Sequence, residues 1–464
     1  MQAFPRLTSQ QAELGKIVLT TAVLTIVFAE IYALFAAAAR TPGVYQWLPG
    51  SNFFYVALVT HVNLSIVIWF LIFTGLLALI SQVVLKPLSG MARLSIGTGV
   101  AFAASGMTLI VLAPFLGADS PIMANYIPVL NHPLFISALG LLFFGVSVML
   151  SFPFWKSNST QSVVWHAEFA YGIRMAGLTF GVAMFCFLLA FWKLEGTPDT
   201  LPYFETFFWG GGHILQFVNT LAMLSCWILL AHLSLKKLPL SSFVLKALLS
   251  SVFLFALPAP FFYFFYGPED AELIEGFTFL MRWGLGPATI PIGGVIVWKL
   301  FKQRRNVDWK SPYSTSLLAS IALFAYGGII GALIDQSNVK IPAHYHGVIG
   351  AVTLSFMGAS YALLPALGKI WNKSRMIFWQ PILCGGGGVL FVTGMYWAGT
   401  HGVARKVSGA AQGLDNLGKM IGMSLMGLGG LVTLFGVVAF VAVVLRALYP
   451  KTVPLKLTNL VLRK

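Results

Sequence analysis

Charge is scarce in this chain: 9% of its 464 residues are Asp, Glu, Lys or Arg, against about 25% in a soluble domain. That excludes an ordinary soluble enzyme, and it makes length a poor guide to domain count. Acids are the scarcer sign, 14 against 29 basic residues. Cysteine is rarer still. Cys186, Cys226 and Cys384 all fall in apolar runs, and no Cys-x-x-Cys or similar cluster occurs. A disulfide framework and a thiolate metal centre are excluded on that ground. No polar stretch exceeds about twenty residues, so no soluble domain is expected. Met1–Gly15 is polar and lacks a small-residue cleavage site, so no removable signal peptide is expected.

What is present is apolar. The chain is 58% hydrophobic, with a mean hydropathy of +0.84. Runs near or above the roughly 20 residues that cross hydrocarbon lie at about 15–39, 53–84, 93–116, 127–155, 170–193, 205–235, 242–267, 273–300, 313–336, 341–367, 376–399 and 420–447. A backbone in lipid must satisfy its own hydrogen bonds, which selects helices or closed barrels. Runs such as Val67–Ile80 do not alternate as barrel strands do. The expectation is an all-α polytopic membrane protein, one twelve-helix transmembrane unit over residues 1–464.

Placing both termini in the cytoplasm leaves only Arg40, Lys193, Arg282, Lys340, Arg405, Lys406 and Lys419 outside, of 29 Lys and Arg. The positive-inside rule selects that orientation. The net charge of +15 follows from this bias and from few acids, and is no sign of nucleic-acid binding.

Histidine placement carries the chemistry. His344 and His346 sit two residues apart, and such residues point about 200° apart on a helix. One helix therefore aims two imidazoles at opposite sides, which suits two cofactors and not one shared ion. His61 lies on the second run, His213 on the sixth and the pair on the tenth, each within about ten residues, roughly 15 Å, of its outer end. Any one could be a hydrogen-bonded core residue. Four in one layer of the membrane point to cofactors, because intramembrane polar groups are costly. His132 precedes Pro133 and reads as a loop or helix-start residue rather than a ligand; it, His166, His232 and His401 are assigned no cofactor.

Arg405 and Lys406 follow Gly402 near this layer and suit anionic groups such as haem propionates, or else are a solvated pair. Glu30, the one carboxylate well inside a run, is read as structural rather than as part of a proton path. Glu269, Asp270, Glu272 and Glu275 form an acidic loop, solvated in preference to binding a basic partner. Gly210–Gly212 and Gly385–Gly388 admit close approach of a helix or a flat ring.

Twelve runs with histidines on the second, sixth and tenth resemble subunit I of the haem-copper oxidase superfamily, which includes cytochrome c oxidases and nitric oxide reductases. The likeness spans most of the chain. It is strongest in Ala343-His344-Tyr345-His346 and in Ser355-Phe356-Met357-Gly358-Ala359-Ser360-Tyr361-Ala362-Leu363-Leu364-Pro365. The resemblance implies a low-spin haem on His61 and His346, and a high-spin haem on His344, both b-type. Phe208-Trp209-Gly210-Gly211-Gly212-His213 resembles the motif giving one ligand to copper or non-haem iron. Trp397-Ala398-Gly399 leading to Arg405-Lys406 resembles the end of the eleventh helix, where a basic pair holds propionates. Lysine in place of one arginine keeps the charge but loses the bidentate fork.

The chain also departs from the family. The family's seventh-helix His-His pair is replaced by Phe262 and Tyr263 within Pro258–Tyr266. The tyrosine or glutamate four residues after the sixth-helix histidine is Phe217, with Gln216 about 100° away around the helix. One imidazole does not make a three-histidine metal site, which leaves Tyr263, Tyr266 or Gln216 as the remaining polar groups. Three readings follow. The first is a terminal oxidase- or nitric oxide reductase-like oxidoreductase, passing electrons from the low-spin to the high-spin haem, where O2 or NO is reduced. The second is a non-catalytic haem electron-transfer or assembly subunit. The third is a haem-free secondary transporter. The haem readings imply further subunits, a cytochrome or quinol donor, and a prokaryotic cytoplasmic membrane.

Overall fold

A computed structural model describes residues 7–40, 44–48, 52–84, 90–154, 162–164, 167–196, 199–369 and 375–450. Twelve helices in it are long and apolar enough to cross a membrane. They are α1 (Ser9–Ala38), α2 (Phe53–Ser81), α3 (Arg93–Leu116), α4 (Pro133–Ser151), α5 (Ala167–Lys193), α6 (Leu201–Leu235), α7 (Ser242–Phe265), α8 (Ala271–Lys302), α9 (Pro312–Ala332), α10 (Lys340–Ala366), α11 (Arg375–Thr400) and α12 (Leu417–Leu448). The chain is an integral membrane protein.

Helix starts follow local chemistry. The hydroxyls of Thr200, Ser241 and Ser311 accept from Tyr203, Val244 and Tyr313 backbone N–H groups, satisfying donors that have no partner in a first turn. His132 does the same for Leu134 N at 3.2 Å, the helix-start role expected of it. Several ends differ from expectation. The fourth helix begins at Pro133, not 127, because 121–130 folds as a ribbon. The sixth begins at Leu201, so His213 stands about three turns into it.

Two spans are broken. α7 stops at Ala256 and resumes at Ala259, around Pro258, since proline removes a donor and clashes with the preceding turn. α8 divides at Leu285, before Pro287. Glu272 and Glu275 lie on its first half, not in a loop as expected. They are exposed together with Glu269 and Asp270.

Burial sorts the spans. In their most apolar stretches, α2, α6 and α10 are 89%, 94% and 78% buried, whereas every other span is 28–50% buried. The three histidine-bearing helices are therefore the centre of the bundle and the rest face outward. Glycine lets neighbours close in. A Cβ on Gly327 of α9 would sit 2.8 Å from Val348 N of α10, and one on Gly387 of α11 would sit 2.5 Å from Thr433 N of α12. Small residues permit such backbone approach where lipid gives no hydrophobic drive. Short antiparallel ribbons complete the fold: β1 (Gln82–Val84) with β4 (Ser162–Val164), and β2 (Pro121–Ile122) with β3 (Val129–Leu130).

Candidate functional site

Each of the four candidate histidines donates Nδ1–H to a backbone carbonyl. His61 bonds Ala29 O of α1 at 2.9 Å, His344 bonds Gly327 O of α9 at 2.7 Å, His346 bonds Pro342 O at 2.7 Å and His213 bonds Trp209 O at 2.8 Å. A carbonyl oxygen only accepts, so the proton is on Nδ1 and the lone pair is on Nε2. A backbone carbonyl accepting Nδ1–H in this way is what fixes the tautomer of metal-binding histidines.

The pair on α10 divides as its spacing requires. His344 turns to α9, where Gly331 makes room: a Cβ there would stand 2.6 Å from His344 Cε1. His346 packs against Phe391 of α11, ring centres 4.9 Å apart. His61 is within electrostatic range of His346 across α2 and α10. His61, His344 and His346 keep part of their surface open although their helices are central. Directly after His61 the helix widens to a π turn, Asn63–Ile68, a feature frequent at functional sites. Asn63 holds it, donating Nδ2–H to Val59 O at 2.9 Å and Pro128 O at 2.6 Å.

Cations gather at the same end. Arg40, to which sequence reasoning gave no role, donates Nε–H to Val407 O at 2.9 Å. Arg40 and Arg405 both reach Tyr345, between the two α10 histidines, electrostatically. Burial lowers the Arg40 and Lys406 pKa values from their usual range. Lys406, at φ +58°, donates to Met123 O at 2.6 Å and Asn125 Oδ1 at 3.1 Å. Lys406 is thus fixed on the β2–β3 ribbon, while Arg405 stays within electrostatic range of Tyr345.

The surroundings of His213 differ from those of the other three. Its Nε2 is met by the Tyr126 hydroxyl at 2.8 Å. Trp209, Tyr126 and Phe277 rings lie 4.8, 4.4 and 5.9 Å from its own. The Gly210–Gly212 run admits flat rings, but they are the chain's own: Cβ atoms there would run into Tyr263 and Phe277, Phe187, and Tyr126. Tyr263 is fully buried. Tyr266 is exposed, and Gln216 turns back toward Gly212 O at 3.4 Å. Among the described residues no group of three or more His, Cys, Asp or Glu could hold a metal ion. The residues present do not fit a second metal at His213.

Of the remaining candidates, Glu30 is half-buried on α1, within electrostatic range of Cys384. His401 donates toward Trp397 O at 2.9 Å and is exposed, and His166 lies outside the described residues. Cys186, Cys226 and Cys384 are buried on three different spans.

Residues 13–446 match the family model for cytochrome c and quinol oxidase polypeptide I. The chain belongs to that family. It is 28% identical to an uncharacterized protein of Rickettsia prowazekii (strain Madrid E), over 89% of this chain and 91% of that one. It is 26% identical to an uncharacterized protein of Aquifex aeolicus (strain VF5), over 78% and 88%. Its fold matches a chain in the cryo-EM structure of a heme-copper terminal oxidase dimer, with TM-score 0.73 and 17% identity, over 95% of this chain and 85% of the other. The oxidase polypeptide I fold expected from the histidine-bearing spans is therefore the fold observed.

Proposed function

We propose that this oxidase polypeptide I family member is a haem-bearing oxidoreductase subunit, with His61 and His346 holding a low-spin haem and His344 a high-spin one. The observation that carries the reading is the shared Nδ1-to-carbonyl bond of these three residues, which presents Nε2 of each from a central helix. When bound, b-type haems would supply one-electron transfer and an iron site for a small gas, O2 or NO. The protein's own part is to orient imidazoles, to set local charge and to exclude lipid. Arg40 and Arg405 would face the haem carboxylates, with Lys406 held back on the ribbon.

His213, whose lone pair is occupied by Tyr126, favours a second reading: an electron-transfer or assembly subunit that does not itself reduce the gas. Both readings take electrons from a cytochrome or quinol through partner subunits. Both place one twelve-helix unit in a prokaryotic cytoplasmic membrane with its termini inside. Single histidine variants test the ligand assignment. His61→Ala or His346→Ala abolishes the low-spin spectrum, and His344→Ala removes the carbon-monoxide-binding haem while sparing the low-spin signal. Intact, identical spectra in all three variants refute it.

A further inference from the structure

His213 is enclosed by a hydrogen-bonded aromatic cluster that reaches it from three parts of the chain. Trp209 O takes the Nδ1 proton at 2.8 Å, so Nε2 is an acceptor and Tyr126 must be the donor at 2.8 Å. Tyr126 belongs to the loop between β2 and β3. From α7, Phe262 and Tyr263, which by the sequence resemblance replace the family's histidine pair, close the cluster through Phe277: they lie 5.5 and 5.8 Å from that ring, which is 5.9 Å from His213.

The ribbon is pinned on two sides. Asn125 donates its backbone N–H to Glu205 Oε2 at 2.8 Å and its side-chain amide to Oε1 at 2.5 Å. Glu205 and His213 are eight residues apart on α6, near enough to two full turns to share a face. Lys406 clamps the same loop from the α11–α12 connection, through Met123 O and Asn125 Oδ1. Tyr126 is therefore held by two clamps on the residues just before it, Met123 and Asn125, with its hydroxyl on the one nitrogen a metal would need.

We infer that the β2–β3 ribbon is a built-in plug: Tyr126 occupies the position of the family's second metal, so this chain takes no metal ion at His213. The inference deepens the proposed function and rests on it for the identity of that position. Borderline metals need several nitrogen or sulfur donors, and the ring cluster supplies none beyond the imidazole already bonded.

The test is metal content of the full chain purified from membranes with any partners, read beside haem content on the same samples and after incubation with copper ions. The parent and His213→Ala are expected to hold no non-haem metal. The Phe262→His/Tyr263→His variant is expected to gain none while Tyr126 is present, and to gain stoichiometric copper once Tyr126→Ala is added. Three results overturn the plug: a stoichiometric non-haem metal in the parent that His213→Ala loses, copper uptake by the double variant with Tyr126 in place, or a haem-replete triple variant that stays copper-free. If the triple variant does not fold, the parent and His213→Ala still decide. Absence of haem in the parent defeats the proposed function separately, because haem iron is counted on its own.

Discussion

Under the proposed ligand assignment, Gly331→Ala is expected to loosen His344 as a haem ligand and spare His61 and His346. The added methyl would stand 2.6 Å from His344 Cε1 and closer still to Nδ1. The ring has little room to retreat, because Nδ1 is bonded to Gly327 O at 2.7 Å. α9 and α10 cannot slide apart cheaply either, since Gly327 and Gly347 meet backbone to backbone there. Overpacking of this kind costs about 1–3 kcal/mol, and losing the Nδ1 bond adds about 0.5–1.5 kcal/mol. The first range alone corresponds to roughly 5–150-fold weaker occupancy of the His344 position. The assay is a haem titration of the purified variant, with the carbon-monoxide-binding fraction read against the low-spin band. A selective loss of the carbon-monoxide-binding haem is expected. Parent-like affinity, or equal loss of both haems, refutes the reasoning.

Further predictions follow from the same contacts. Gly394→Val on α11 meets Gly422 O and the Met426 backbone of α12, so it lowers the melting temperature in detergent by the equivalent of about 1–3 kcal/mol; Gly386→Ala on the same helix faces open space and leaves it within error. Asp335 pairs with Lys340 Nζ at 2.7 Å, and that bond holds its pKa below the usual carboxylate range. Its contribution is present above the unfolded carboxyl pKa of about 3.9 and is lost as pH falls through the lower folded value. Asp335→Asn should therefore melt earlier than the parent at pH 7, and the two curves should converge in strong acid. Arg40→Leu, which removes a guanidinium within electrostatic range of Tyr345, is expected to shift the midpoint potential of the proposed low-spin haem while leaving its bis-imidazole spectrum in place; an unchanged potential separates Arg40 from the haem.

Much of the architecture is legible in the sequence because lipid imposes strong rules. Length and apolarity place twelve spans, and the two-residue spacing of His344 and His346 dictates that they leave α10 on opposite sides. Phe262 and Tyr263 announce that the His213 position is altered. What closes it is not readable, because Tyr126 lies 87 residues from His213 in a loop with no periodicity. Arg40 looks like any end-of-helix cation until its guanidinium is seen bonded to Val407 O within electrostatic range of Tyr345. The carbonyls of Ala29 and Gly327 carry no side-chain signal at all. The break in α8 did have one, in Gly284-Leu285-Gly286-Pro287, where glycine and proline commonly end a helix. The hydropathy of the run outweighed it.

The most direct measurement is a pair of spectra on the chain purified with its natural partners: reduced-minus-oxidised, then carbon monoxide difference, with haem quantified on the same sample. Two haems per chain, one of them binding carbon monoxide, is the result expected from His61, His346 and His344. A colourless protein would contradict it and return the chain to the transporter reading.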